Sequence, residues 1–156
     1  MKDNRTIAES TAEAPPGLQA PFDEPTTDSG KKRILVVDDE VSATRLLKLN
    51  LEQTNQYVVR TESDPRKALA AATEFHPDLM FLDVLMPGMG GGDLASFLLA
   101  DPMLKSVPIV FLTAMATKNE IHRRGGRIGG FPFLAKPVDL NEVLACLNLH
   151  LDAPRS

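Results

Sequence analysis

The chain has 156 residues, 43% of them hydrophobic and 24% charged, which suits one ordinary domain with some length to spare and is too short for two. Its net charge of −4 sits in residues 1–30, where Lys2 and Arg5 face six acids; the remainder is balanced, so the chain has no clustered basic footprint for nucleic acid. The single cysteine, Cys146, excludes an internal disulfide and multi-cysteine zinc sites, and no apolar run approaches the roughly 18 residues that would insert into a membrane.

The first 30 residues contain Pro15, Pro16, Pro21 and Pro25 but only Ile7, Leu18 and Phe22 as large apolar side chains. That is too little burial to offset the entropy of ordering, so residues 1–30 are expected to be a flexible acidic tail. No apolar segment follows the first basic residues, which argues against a secretory signal and for a cytoplasmic chain. From residue 31 short apolar runs alternate with helical repeats. The strand-like runs are Ile34–Val37, Tyr57–Thr61, Leu79–Leu82, Ile109–Leu112 and a weaker Phe131–Leu134. Helical spacing links Ala43, Leu46, Leu47 and Leu51; then Ala68, Ala71, Ala72 and Phe75; then Leu94, Phe97 and Leu98; and finally Leu140, Val143, Leu144, Leu147 and Leu151. Ser42, Asp64 before Pro65, and Asp139 are the expected helix caps. Residues 118–130 hold two Gly-Gly pairs and few apolar residues, so a helix there must be short or irregular. The pattern predicts an α/β domain over residues 31–152, with a five-stranded parallel sheet covered by helices on both faces and a short tail at 153–156.

In such a sheet, ligands bind beyond the carboxyl ends of the strands. Four strand ends carry polar groups: Asp38, Asp39 and Glu40 after the first run, Asp83 after the third, Thr113 after the fourth, and Lys136 before Pro137 after the fifth. Three carboxylates can hold Mg²⁺, which takes one or two of them with waters and a phosphate oxygen. A lysine and a hydroxyl opposite would hold phosphoryl oxygens and offset their charge. Taken singly, each of these residues also has an ordinary reading as a cap, a turn or a solvated charge.

The ordered set ILVVDDE (34–40), PDLMFLDVLMPGM (77–89), PIVFLTA (108–114) and AKP (135–137) resembles the receiver domain of two-component response regulators. The resemblance implies a flavodoxin-like, doubly wound fold with strand order 2-1-3-4-5. It implies that Asp83 is the phosphoacceptor, charged by a histidine kinase or phosphotransfer protein. Asp39, Asp83 and the backbone carbonyl of Leu85 would ligate Mg²⁺, with Asp38 assisting through water. Thr113 and Lys136 would contact the phosphoryl group, Phe133 would occupy the position of an aromatic switch, and the Lys136–Pro137 peptide would be cis. Gly90 and Gly91 depart from the Asp-Gly pair common after the acceptor. Only five residues follow Leu151, so the output is expected to be an unidentified protein partner and not turnover of an external substrate.

Two other functions compete with this reading. A Mg²⁺-dependent phosphohydrolase of the haloacid dehalogenase type would carry a second Asp two residues after its nucleophile, where Asp38 is followed by Glu40. A receiver-like adaptor that is never phosphorylated has no physical need to crowd like charges together. GMGGG (88–92) and GGRIGG (125–130) lack the phosphate-loop pattern and read as flexible turns. His122, Arg123, Arg124 and Arg127 read as a solvated basic face, Cys146 as a packing residue, and His76, His122 and His150 lack metal-ligand spacing.

Overall fold

The computed structural model describes residues 30–151, so the expected tails at 1–30 and 153–156 lie outside the described residues, apart from Gly30. Six strands form one sheet: β1 (Lys32–Val37), β2 (Tyr57–Glu62), β3 (Leu79–Asp83), β4 (Ile109–Thr113), β5 (Arg127–Ile128) and β6 (Phe131–Ala135). Five helices connect or follow them: α1 (Val41–Glu52), α2 (Ala68–Phe75), α3 (Gly91–Ala100), α4 (Lys118–Arg123) and α5 (Leu140–Leu151). The sheet order is β2-β1-β3-β4-β6-β5. The first five of these pair in parallel, which is the expected order, while β5 pairs antiparallel with β6.

The central strands are apolar throughout because both faces are covered. Leu35, Val37, Met80, Leu82, Ile109 and Phe111 point into a core shared with α2 and α3. The alternating residues Ile34, Val36, Leu79, Phe81, Val110 and Leu112 point the other way, onto Leu47 and Leu51 of α1 and Val143 and Leu147 of α5. Two helical stripes are rotated from the expected ones. In α1, Leu46 is exposed and Thr44 is buried in its place, its hydroxyl donating to the Val41 carbonyl at 2.9 Å. In α3, Phe97 is exposed and Ala95 is buried between Leu94 and Leu98. Ser42 does not cap α1: the helix starts at Val41, and the preceding Glu40 amide donates to Asp38 Oδ1 at 3.0 Å. Asp64 accepts from the Arg66 amide and Asp139 from the Asn141 amide, so those two caps form as read.

The Gly-rich segment is ordered by a helix stop and a hairpin. After α4 the Gly126 amide donates to the Ile121 carbonyl at 2.8 Å and the Gly125 amide to His122 at 2.9 Å, a Schellman closure with Gly125 at φ +70. Gly129 and Gly130, both at positive φ, then form the two-residue turn that folds β5 back on β6. The sheet therefore has a sixth strand that the five-stranded expectation omitted. At the opposite edge, α1 covers the open side of β2. Lys48 Nζ donates to the Val59 carbonyl at 2.8 Å, and the Val59 amide donates to Glu52 Oε2 at 2.9 Å. These side chains satisfy two backbone groups that an exposed edge would offer to another strand.

Candidate functional site

The parallel registers bring the polar strand ends together. Val37 lies beside Leu82, Asp83 beside Leu112, and Thr113 beside Ala135, so Asp38, Asp83, Thr113 and Lys136 emerge on one rim. Carboxylate oxygens of Asp38, Asp39 and Asp83 all lie within 4.8 Å of one another. The Lys136 ammonium sits 2.7 Å from Asp38 Oδ2, 3.4 Å from Asp83 Oδ1 and 3.7 Å from Glu40 Oε1. Asp38 and Asp83 are buried, at 2% and 6% exposure, whereas Asp39 is exposed and its side chain makes no hydrogen bond or ion pair among the described residues. Both oxygens of Asp38 are engaged by the protein, one by Lys136 and one by the Glu40 amide. Asp39 is thus the carboxylate most available to an added cation.

Burial pushes the Asp83 carboxyl up to about 6 from an ordinary 3.8, and the neighbouring charge of Asp38 adds to the rise, while Lys136 pulls against it. For Lys136 burial acts to lower the pKa, but the hydrogen bond and charge of Asp38, with the charge of Asp83, outweigh it and hold the ammonium above its usual range. The site is accordingly a half-buried cation surrounded by more negative charge than it can neutralise. Such a carboxylate cluster is consistent with a divalent metal site, because a hard cation would relieve the repulsion.

Thr113 is buried with its hydroxyl accepting from the Met115 amide at 2.9 Å, and its carbonyl accepts from the Lys136 amide at 2.7 Å. A cavity of about 380 Å³ opens over the rim, lined by Asp39, Asp83, Leu85, Thr113, Ala114 and Lys136, with Glu40 at its margin. The Leu85 side chain is largely exposed there. Phe133 is half-buried and packs on Phe111, with ring centroids 5.0 Å apart. The Lys136–Pro137 peptide is cis. Cys146 lies packed in α5, and burial pushes its thiol up to about 11, as expected of a packing residue.

Two residues of the site went unassigned in the sequence. Glu40 reaches Lys136, and its place directly after an acidic pair was the available signal. Gly91, within a stretch read as a flexible turn, is buried against the end of β3. A Cβ there would fall on the Asp83 carbonyl oxygen and within 3.1 Å of Val84 Cα, so only glycine lets α3 begin so close to Asp83. By contrast, a Cβ on Gly92 would meet open space.

A family model for the response regulator receiver domain matches residues 34–148. The chain belongs to that family. This receiver is 40% identical to response regulator PleD of Caulobacter vibrioides over 107 residues, which is 69% of this chain and 23% of that protein. It is 35% identical to the DNA-binding response regulator MtrA of Mycobacterium tuberculosis over 124 residues, 80% of this chain and 52% of that one. The receiver therefore spans between about a quarter and a half of these curated relatives. Among solved structures it is similar to the chemotaxis response regulator CheY4 of Vibrio cholerae, with 30% identity and a TM-score of 0.65 over 78% of this chain and 99% of the other. The non-phosphorylated HemR receiver domain of Leptospira biflexa matches at 33% identity and a TM-score of 0.65, over 81% and 98% of the two chains. Within this family the acidic rim of Asp38, Asp39 and Asp83 fits a phosphorylation site. Among the described residues no helix is long and apolar enough to cross a membrane.

Proposed function

We propose that this receiver is a phosphoacceptor switch: it takes a phosphoryl group from a histidine kinase or phosphotransfer protein onto Asp83 and passes the change to a protein partner. What supports this reading most is the single Lys136 ammonium in contact with both buried carboxylates, Asp38 and Asp83, beside the exposed Asp39. In the transfer, an Asp83 carboxylate oxygen forms a bond to phosphorus while the bond from phosphorus to the donor imidazole nitrogen breaks, and the electron pair leaves with the imidazole. Asp83 must be ionised to attack, so burial that raises its pKa slows the reaction until positive charge is supplied.

Asp39, Asp83 and the Leu85 carbonyl would hold Mg²⁺, with Asp38 assisting; when bound, the ion supplies the positive charge that favours ionised Asp83 and neutralises phosphoryl oxygens. Lys136 stays on the rim through Asp38 and can pair with a phosphoryl oxygen in place of Asp83. Thr113 can donate its hydroxyl hydrogen to another phosphoryl oxygen, and because the same oxygen accepts from the Met115 amide, any shift of that side chain would transmit occupancy to the loop before α4. Phe133, packed on Phe111 beside that strand, would follow the rearrangement. The chain carries out its own phosphorylation and dephosphorylation and is not an enzyme for an external substrate. We assign it to the cytoplasm, with residues 31–152 as the receiver and residues 1–30 and 153–156 as tails.

The test is intact mass after incubation with a small acyl phosphate, with Mg²⁺ or with EDTA. A single phosphoryl adduct that needs Mg²⁺ and is absent in Asp83→Asn supports the reading. An adduct that persists in the variant removes Asp83 as acceptor.

A further inference from the structure

The rotated stripe of α1 leaves an open space between that helix and the start of α5. Leu46 stands at its mouth, 59% exposed, while the smaller Ala43 and Thr44 line it beside Leu47. The result is a cavity of about 430 Å³, floored by Val36 and Leu112 of the sheet and walled on the far side by Val138 and Leu140. Packed cores rarely leave apolar volume of this size, and it falls in the range of roughly 300–1,000 Å³ that small-molecule sites occupy. Both ends are polar. At one end Asp38, Glu40 and Lys136 reach the wall. At the other is Asn50, half-buried, whose carboxamide makes no hydrogen bond among the described residues. Glu40 precedes α1 and Asn50 lies ten residues on, about 15 Å along the helix axis, so the space suits an elongated ligand.

We propose that this cavity binds a small amphipathic amine, with its ammonium at Glu40, an aryl or alkyl body over Val36, Leu47 and Leu112, and a polar far end at Asn50. The charge at the acidic end sets the sign of the ligand. Asp38, Asp83 and Glu40 share the one Lys136 ammonium, so negative charge is in excess there and a carboxylate or phosphate is repelled. Asp38 is buried with both oxygens engaged, by Lys136 and by the Glu40 amide, which leaves Glu40 to accept from an incoming ammonium. The Glu40 carboxylate touches Lys136 only at 3.7 Å, and its side chain is 63% exposed. Asn50 offers both a donor and an acceptor, which suits a ring N–H, a hydroxyl or an amide. The apolar floor and walls require an apolar body, so a bare metal ion gains nothing from them. Asp39 and Asp83 do not line this cavity, and the proposal stands apart from the assignment of Asp83 as phosphoacceptor.

The chain contains no tryptophan, so tryptamine added to the full chain reports its own binding by fluorescence anisotropy. Two comparators compete with it. Indolepropionate carries a carboxylate on a similar body, and acetyl-lysine amide carries an ammonium without a ring, as a lysine of a partner protein would. Tryptamine is expected to saturate the protein and to bind about tenfold or more tightly than either comparator. Glu40→Gln should weaken tryptamine about threefold or more and flatten its salt dependence. Ala43→Leu, which fills the cavity, should weaken it about tenfold or more. Ala43 is exposed to the opening, so the melting temperature of that variant should match wild type; if it fails to fold, Asn50→Leu fills the opposite end and carries the same expectation. No saturable binding, equal binding of the carboxylate, preference for the lysine amide, or unchanged affinity in Glu40→Gln or in the filled variant would overturn the proposal.

Discussion

Replacing Asp83 by Asn should make the metal-free fold more stable, although it destroys the proposed function. Burial and the charge of Asp38 raise the Asp83 carboxyl from 3.8 to about 6. A carboxyl with a raised folded-state pKa favours folding fully below its unfolded value of about 3.8, and this contribution is lost as pH rises through about 6. A shift of about two units at about 1.4 kcal/mol each leaves ionised Asp83 costing about 3 kcal/mol near neutral pH. Asn removes that charge, and Lys136 keeps its 2.7 Å contact with Asp38. The 3.4 Å contact between Lys136 and Asp83 is already counted in that shift, because Lys136 pulls the Asp83 carboxyl down against the burial and Asp38. Urea unfolding in EDTA should therefore show Asp83→Asn about 1–3 kcal/mol more stable than wild type at about pH 8, and the gap should shrink below about 1 kcal/mol at about pH 4. A variant less stable than wild type at the higher pH, or a gap independent of pH, would refute the electrostatic account of the site.

Three further outcomes follow from particular contacts. Asp39→Ala should keep a wild-type melting temperature or raise it in EDTA while losing most of the rise that Mg²⁺ gives wild type; equal metal-induced rises would remove Asp39 from the cation set. Gly91→Ala should destabilise the fold by about 1–3 kcal/mol, because its Cβ meets the Asp83 carbonyl, and should depress phosphoryl labelling, whereas Gly92→Ala, which meets open space, should be neutral or stabilising. Denaturation and labelling of the two variants side by side check this, and equal costs would contradict it. Lys48→Met/Glu52→Leu should uncover the Val59 backbone, costing about 1 kcal/mol and promoting concentration-dependent self-association in sedimentation experiments; sedimentation unchanged from wild type would show that β2 needs no cover.

Much of the fold was legible because the strands are apolar from end to end. Ile34–Val37, Leu79–Leu82 and Ile109–Leu112 suit strands buried on both faces, and the structure buries every one of those side chains. The polar residue that ends each run then fell on one rim, since parallel strands place all carboxyl ends on the same side. The helices were less determined. A stripe at helical spacing tolerates a rotation, so Leu46 and Phe97 were read as inward when Thr44 and Ala95 take those places. Gly-Gly pairs at 125–126 and 129–130 were read as helix breakers and flexible turns, not as a hairpin. Ile128, Gly129, Gly130 and Phe131 in sequence were also a hairpin signal, two glycines at positive φ between residues that pair. Gly91 was unreadable for a different reason: its need for a bare Cα comes from the Asp83 carbonyl, which meets it only after folding.

The most direct test of the central claim is to find where the phosphoryl group resides. After Mg²⁺-dependent labelling, borohydride reduction converts an aspartyl phosphate to homoserine, and tryptic cleavage releases residues 68–105, which contain Asp78, Asp83, Asp93 and Asp101. Fragmentation of that peptide is expected to place homoserine at position 83 alone. Homoserine at another aspartate, or its formation in EDTA as readily as with Mg²⁺, would contradict the assignment of this rim as the phosphoryl site.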